Sequence, residues 1–539
     1  MMKDKNLLIL LIVSAIALYI NVGSYGVVES SDARYAEIAR EMVVTGDYLH
    51  PDLLDVHHYH KPPFTYQITA LGYKIFGINP FGARFFLQLA ILFQIILVYY
   101  LSLTLFDDRK PAFWAALIYI SFPIVLISSR NLTTDAFLAT FALLSMYSWV
   151  KYRKTGRWGF LYLFTFSFAM GFLTKGPVIF IVPVPFIIAY NRIEKAKHGF
   201  SFHHITAWVL FLVLASSWYL LLVKENPDFI DYFLGRQTVD RFSKNAFDRT
   251  EPFWYFIVLA PLVGIPWLLL LPYLVKINKK MFTKRSLPIA IAAGIIIPLI
   301  FFSISSSKRI LYILPFYSLA AILIAELISK TPLRQTKKVS IVIFIYSIVI
   351  FSIFAVTQIF DPDIKIPSLT VVAGVFMILI TILIYNSRKI DVQSKTVFST
   401  FVVSAFLVIA ASHIMSLNEL KVNSPRPVTD FIIKNNLNNR MIIVYNTRKP
   451  SIAFGLNKSI ISLYDGAKDL DRETQFEQDT LWKKYLIDLK NENEIHKLKL
   501  ILQKPTVLLV YKHPLPENRL WLIDGYDNVK NMEKWTIYY

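Results

Sequence analysis

About thirteen apolar stretches of membrane-spanning length divide this chain, and they leave few folds open to it. A transmembrane helix needs about 20 predominantly apolar residues. The stretches fall near residues 7–25, 84–106, 111–129, 135–150, 158–174, 177–190, 205–223, 252–275, 287–304, 310–328, 339–358, 367–385 and 397–415. The fold class expected is a polytopic α-helical membrane protein. A transmembrane β-barrel is excluded, because its segments would be shorter and would alternate in polarity.

The net charge of +20 does not point to nucleic acid. Lys and Arg gather in alternate short loops, such as Lys151, Arg153 and Lys154, then Lys279, Lys280 and Lys284, then Arg388 and Lys389. The other short loops hold little beyond Arg130, Lys175, Lys308, Arg309 and Lys365. The positive-inside rule then puts the N-terminus in the cytoplasm and, after an odd number of spans, the C-terminus outside. The chain has no cysteine, so disulfides, thiol catalysis and thiolate metal sites are out of reach. The apolar run after Met1–Asn6 is read as an uncleaved first span, since only a weak small-residue cleavage pattern follows it.

Two domains are expected. Residues 1–416 would form the membrane domain, with long outer loops at 26–83 and 224–251. Residues 417–539 would form an extracytoplasmic α/β domain. Strand-length apolar runs occur there at Met441–Tyr445, Thr506–Tyr511 and Leu520–Ile523, with a charged, helix-like stretch at 473–502.

The first outer loop carries much of the chemistry. Residues 33–45 read as a helix lying along the membrane, with Tyr35, Ile38, Ala39, Met42 and Val43 apolar and Arg34, Glu37, Arg40 and Glu41 polar. Gly46 is its expected C-cap. Asp32 just before it is either a simple N-cap or a carboxylate facing a cleft, and the two are compatible. His60-Lys61-Pro62-Pro63 opens another helix. Its free N–H groups, its positive end and Lys61 could hold an anion; alternatively Lys61 meets lipid headgroups. His50, His57, His58 and His60, with Asp52 and Asp55, could hold a divalent metal, though their spacing matches no standard site. On the same side lie Asp135, Lys175, Lys308 and Arg309. Charges at such depth are expensive and tend to be functional; a salt bridge or a snorkelling anchor is the alternative for each.

In this order and topology the motifs resemble the C-type (GT-C) membrane glycosyltransferases, and most of all the bacterial aminoarabinose transferase family. The likeness runs over residues 25–320. It rests on Arg34-Tyr35-Ala36-Glu37-Ile38-Ala39-Arg40, Gly46-Asp47, Lys61-Pro62-Pro63, residues 76–84, Asp135, Leu173-Thr174-Lys175-Gly176, Arg241-Phe242, residues 252–255, and Ser307-Lys308 with residues 312–315. The family is related to protein mannosyltransferases. The resemblance implies inverting transfer of a sugar from an undecaprenyl-phosphate carrier to lipid A or another envelope glycan, at the periplasmic face of the bacterial inner membrane. It implies Asp32 as the catalytic acid and Lys61 as a ligand of the carrier phosphate. Arg34, Tyr35, Arg241, Asp135, Lys175, Lys308 and Arg309 are implied as further phosphate or substrate contacts.

The chain departs from the family at three places. Ser31-Asp32 stands for Asp-Glu, so only the second acid survives. His60 stands for the Glu before Lys-Pro-Pro, and is the candidate metal ligand. Gln237-Thr238 stands for Glu-His. Sugar and acceptor can therefore differ from aminoarabinose and lipid A. A protein hydroxyl as acceptor, or transport of a lipid-linked saccharide without catalysis, are the rival readings.

Overall fold

The computed structural model describes residues 5–233, 235, 237, 251–360, 362–466 and 470–539. The chain divides into two compact units. One comprises residues 1–20 and 87–414; the other joins 21–86 to 415–539. The first outer loop therefore belongs with the tail, although some 330 residues of sequence lie between them.

The first unit is helical. Among the described residues, 8 helices are long and apolar enough to cross a membrane, or up to 10 if each of two bent pairs is one span. The bends have local causes. Arg109–Ser121 meets Pro123–Ser129 at 62°, where Pro123 begins the second helix. Tyr255–Val263 meets Trp267–Ile277 at 94°, across Gly264-Ile265-Pro266. Three expected stretches fall outside that number. Residues 7–25 give the short helix Lys5–Tyr19. Residues 135–150 lie in Thr134–Thr155. Residues 177–190 hold a 3-10 turn at Gly176–Phe180 and the helix Pro183–Asn191, because Pro177 and Pro183 interrupt regular backbone bonding. The helix Tyr317–Lys330 is buried nearly all round, as a helix apolar on every face must be. Polar side chains inside the unit bond to carbonyls of neighbouring helices. Tyr317 donates to Ala260 O at 2.8 Å. Arg130 spreads its guanidinium over the carbonyls of Leu18 at 3.0 Å and of Ala17 and Val408 at 3.3 Å. Those carbonyls replace the water that a buried guanidinium lacks.

The second unit is built on a six-stranded sheet in the order β3-β2-β1-β4-β6-β5. The strands are β1 (Met441–Val444), β2 (Ile461–Tyr464), β3 (Leu486–Asp488), β4 (Thr506–Tyr511), β5 (Val529–Met532) and β6 (Trp535–Tyr538). The first four run parallel, and the last two pair antiparallel with each other, β6 against β4. Ile443, Leu463, Ile487, Leu498 and Leu508 form the centre of its core. Two expectations need correcting. Leu520–Ile523 is not a strand: Glu517–Leu522 forms a 3-10 turn whose Arg519 is forked onto Asp465 at 2.9 and 3.0 Å. The stretch 473–502 is not one helix: β3 interrupts it, and only Glu492–Leu502 makes a full helix, started by Asn491 accepting from Asn493 N–H.

The outer loop packs into the tail through hydrogen bonds along its length. Gly26 N–H donates to Glu419 at 3.1 Å, Glu29 N–H to Asn423 O at 3.0 Å, and His57 N–H to Glu477 at 2.6 Å. The loop helix spans Ser31–Thr45 and ends at Gly46 with φ +77°, the left-handed cap that glycine favours. Its polar face is buried as deeply as its apolar one. Glu37 and Arg40 form a two-bonded ion pair at 2.7 and 2.8 Å. Glu41 accepts from the N–H groups of Leu54 and Asp55 at 2.7 and 3.3 Å. Burial first, then the charges of Glu37 and Asp55, push the Glu41 carboxyl well above the ordinary value.

A raised carboxyl means that the folded state binds the proton more tightly than the unfolded chain does. Glu41 therefore stabilises the unit below about pH 4.5, the ordinary carboxylate value. Its contribution is lost as pH rises through the raised folded value, at about 1.4 kcal/mol per pH unit. Glu41→Gln is expected to flatten that part of the stability curve, measured as Tm against pH in detergent.

A cationic candidate site around two histidines

Asp32 sits in the first turn of the loop helix and is buried. Ser30, not Asp32, occupies the N-cap position, and it makes no side-chain cap bond. Asp32 Oδ2 accepts from Val28 N–H at 2.9 Å and from Arg84 Nη2 at 2.6 Å; Oδ1 accepts from Arg84 Nε at 3.3 Å. Arg84 is itself fully enclosed. It donates further to the carbonyls of Val22, Tyr25 and Gly26 at 3.1, 3.2 and 2.9 Å, and lies 4.1 Å from the centre of the Tyr25 ring. The fork satisfies the carboxylate and ties residues 22–28 to the start of the helix.

Two turns of chain beyond the helix, His58 and His60 meet edge to face, with ring centres 4.3 Å apart. His60 also meets Phe476 of the tail at 5.8 Å. Burial pushes both imidazoles down, His58 well below its ordinary value and His60 to about 3. Neighbouring positive charges add to the effect. Arg34 and Arg472 act on both rings, Arg448 on His58, and Lys61 on His60; Glu473 opposes them at His60. Arg34, Lys61 and His60, which the sequence singles out, are thus brought into one electrostatic neighbourhood. Tyr35 packs against Tyr66 at 5.2 Å beside them. Arg448 and Arg472 come from the tail, where no motif marked them. Arg448 Nη1 bonds Glu473 at 2.6 Å, Nη2 donates to Leu53 O, and Nε is buried with no hydrogen-bond partner among the described residues. Neutral imidazoles beside several cations suit an anion better than a second cation. Among the described residues no three His, Asp or Glu side chains gather closely enough to hold a metal ion.

In the helical unit, Asp135 lies in the first turn of Thr134–Thr155 and is ion-paired with Lys175. The Lys175 ammonium also stands 4.4 Å from the centre of the Tyr312 ring. Lys308 is buried and donates to the carbonyls of Glu251 and Ser305 at 2.7 and 2.6 Å. Arg309 follows it, half-buried. Arg241 lies outside the described residues.

Known proteins match this arrangement in sequence and in fold. The family model for dolichyl-phosphate-mannose-protein mannosyltransferase matches residues 60–220. The undecaprenyl phosphate-alpha-4-amino-4-deoxy-L-arabinose arabinosyl transferase 2 of Proteus mirabilis is 32% identical over 302 residues, 55% of each chain. The corresponding transferase of Aeromonas hydrophila is 33% identical over 299 residues, 54% of each. The chain thus spans about half the length of the curated relatives it matches. The crystal structure of ArnT from Cupriavidus metallidurans bound to undecaprenyl phosphate superposes with a TM-score of 0.79 at 19% identity, over 98% of this chain and 97% of that one. The chain therefore has the fold of that structure, a polytopic helical unit with a small C-terminal sheet domain. Over about half of its length the chain is similar in sequence to the aminoarabinose transferases.

Arg84→Ala would take the ion-pair partner away from the buried Asp32 carboxylate. Removing one partner of such a pair costs about 3–5 kcal/mol. The variant is expected to unfold at clearly lower temperature, and Arg84→Ala combined with Asp32→Asn to recover much of the loss. Thermal unfolding of the four proteins of the cycle in detergent measures both effects.

Proposed function

We propose that the chain is an inverting glycosyltransferase of the bacterial inner membrane. It takes a sugar from an undecaprenyl-phosphate carrier and delivers it, at the periplasmic face, to lipid A or another envelope glycolipid. The observation that carries this reading is the set of cations, Arg34, Lys61, Arg448 and Arg472, around the neutral His58 and His60. It stands in a fold shared with a transferase whose crystal structure holds undecaprenyl phosphate.

In the reaction the acceptor oxygen attacks the anomeric carbon from the side opposite the carrier. The bond from that carbon to the phosphate oxygen breaks, and the electron pair leaves with the phosphate. Charge therefore grows on the phosphate in the transition state. Preplaced cations stabilise it there more than in the ground state. Lys61 and Arg34 take that task, with Arg241 as a further phosphate contact. Asp135, Lys175, Lys308 and Arg309 supply substrate contacts in the helical unit, and Tyr35 an aromatic wall. Asp32 holds the start of the loop helix through Arg84. A second reading, with a protein hydroxyl as acceptor, draws support from the match to protein mannosyltransferases over residues 60–220.

Purified full-length protein incubated with synthetic undecaprenyl-phosphate sugars and an envelope-lipid extract is expected to yield a lipid heavier by one sugar, followed by mass spectrometry. Lys61→Ala is expected to lower kcat/KM by about 10²–10³, as loss of one preorganised donor does. Carrier crossing liposomes without consumption of the donor would overturn the enzyme reading. A glycosylated protein without a glycosylated lipid would favour the second reading over the first.

A further inference from the structure

Basic loops recur along this chain, and charge alone singles out none of them. The loop between the helices Pro183–Asn191 and Phe202–Glu225 stands out by how it is held and by what it exposes. It packs on the end of Thr134–Thr155, which closes at Gly156 in the left-handed conformation, φ +74°. A Cβ at Gly156 would come within 2.5 Å of His198 Nε2 and 3.2 Å of Lys197 Cβ, so only glycine lets the loop approach this closely. His198 Nε2 donates to Gly156 O at 2.9 Å, and Arg153 donates to the carbonyl of Glu194. The rings of His198 and His203 each stack on the Trp158 indole, with centres 4.8 and 4.5 Å away. Ser201 caps the next helix: its N–H donates to His204 Nδ1 at 3.1 Å, and His204 bonds the Tyr152 hydroxyl at 3.0 Å. Contacts within the protein thus fix the loop, so binding there orders little further chain.

The loop so held turns two kinds of side chain outward. Arg157, Arg192, Lys195 and Lys197 are exposed, and none of the four makes an ion pair among the described residues. The one acidic residue from 151 to 204 is Glu194, so the patch has almost no counter-charge of its own. Phe200 is 81% exposed, more than any other large apolar side chain among the described residues, and Phe202 is 74% exposed. From Phe202 an exposed apolar stripe continues at helical spacing through Ile205, Val209 and Leu212. It runs along a helix long and apolar enough to cross a membrane. Such a stripe faces lipid, and the surface at its start is continuous with it. An anionic phospholipid offers both partners that this surface lacks: a phosphate for the cations, and glycerol with the upper acyl chain for the rings.

We propose that Arg157, Arg192, Lys195 and Lys197, with Phe200 and Phe202, form a binding site for an anionic phospholipid of the surrounding bilayer. The cations take the headgroup phosphate, and the two rings lie at the boundary between headgroup and acyl chain. The lipid is a resident of the bilayer and not the reacting carrier, so the inference stands apart from the transferase reading.

The test uses full-length protein in a neutral detergent, with short-chain phosphatidylglycerol and zwitterionic phosphatidylcholine as probes and affinity read by microscale thermophoresis. Wild type is expected to prefer phosphatidylglycerol by more than about tenfold, and the preference should shrink as salt rises. Each of Arg157→Gln, Arg192→Gln, Lys195→Gln and Lys197→Gln should cost about fivefold in phosphatidylglycerol affinity. The four combined should remove the preference and leave Tm unchanged. Phe200→Ser with Phe202→Ser should weaken both lipids alike, since it removes apolar contact and keeps the charge. A matched control changes Lys279, Lys280, Lys284 and Arg285, exposed in another basic loop, to Gln, and should keep the preference. Equal affinity of wild type for the two lipids would overturn the proposal. So would a preference that survives loss of the four cations, or one lost equally in the control, which would make it a general effect of basic loops. A Phe200→Ser, Phe202→Ser protein that binds both lipids as wild type does would overturn it as well. Glycerol 3-phosphate that competes as strongly as the lipid would reveal a free-phosphate site and overturn it too.

Discussion

The second unit is organised around one buried guanidinium. Arg84 pairs with Asp32 and caps three carbonyls of residues 22–26. The price of enclosing a guanidinium is high unless nearly every donor finds a partner. Meeting that demand fixes where the chain turns before the loop helix. The turn in turn sets Glu29 against Ser451, and the helix places Arg34 toward the two histidines. Glu37, Arg40 and Glu41 add a second layer of enclosed charge on the other helix face. A loop with this much buried charge has few alternative packings, because any slip would strand an ion without its partner.

That rigidity has a chemical use. Burial first, and then cations presented by separate segments, Arg34 from the helix, Lys61 from the turn after it, and Arg448 and Arg472 from the tail, push the imidazoles of His58 and His60 down. Positive charge kept in place before substrate arrives stabilises a leaving phosphate without reorganising during the reaction. The tail is thus part of the candidate site's electrostatics. The same packing gives neighbouring carboxyls different partners: Asp32 meets Arg84, and Glu29 meets Ser451.

Much of the architecture was readable from pattern. Runs of apolar residues marked the helices, and β1 and β4 stood out as apolar runs in a polar tail. Gly46 as helix cap followed from local chemistry alone. The errors had physical causes. Leu520–Ile523 was apolar enough for a strand, but Arg519 anchors that segment to Asp465 as a turn. The stretch 473–502 was charged enough for one helix, but Leu486–Asp488 joins the sheet beside β2, a partner distant in sequence. Arg34, Lys61 and His60 were legible because they sit in compact motifs; Arg448, Arg472 and Glu29 sit in none.

By itself the sequence determined the class of environment. Apolar length requires helices in lipid, and short motifs place acids and bases at helix starts; both are local properties. Only the tertiary structure decided which charges are partners. Asp32 and Arg84 are 52 residues apart, and Glu29 and Ser451 are 422 apart. Whether a carboxylate serves as an ion-pair partner or a base depends on its burial and on what donates to it. Those quantities exist only once distant segments have packed together.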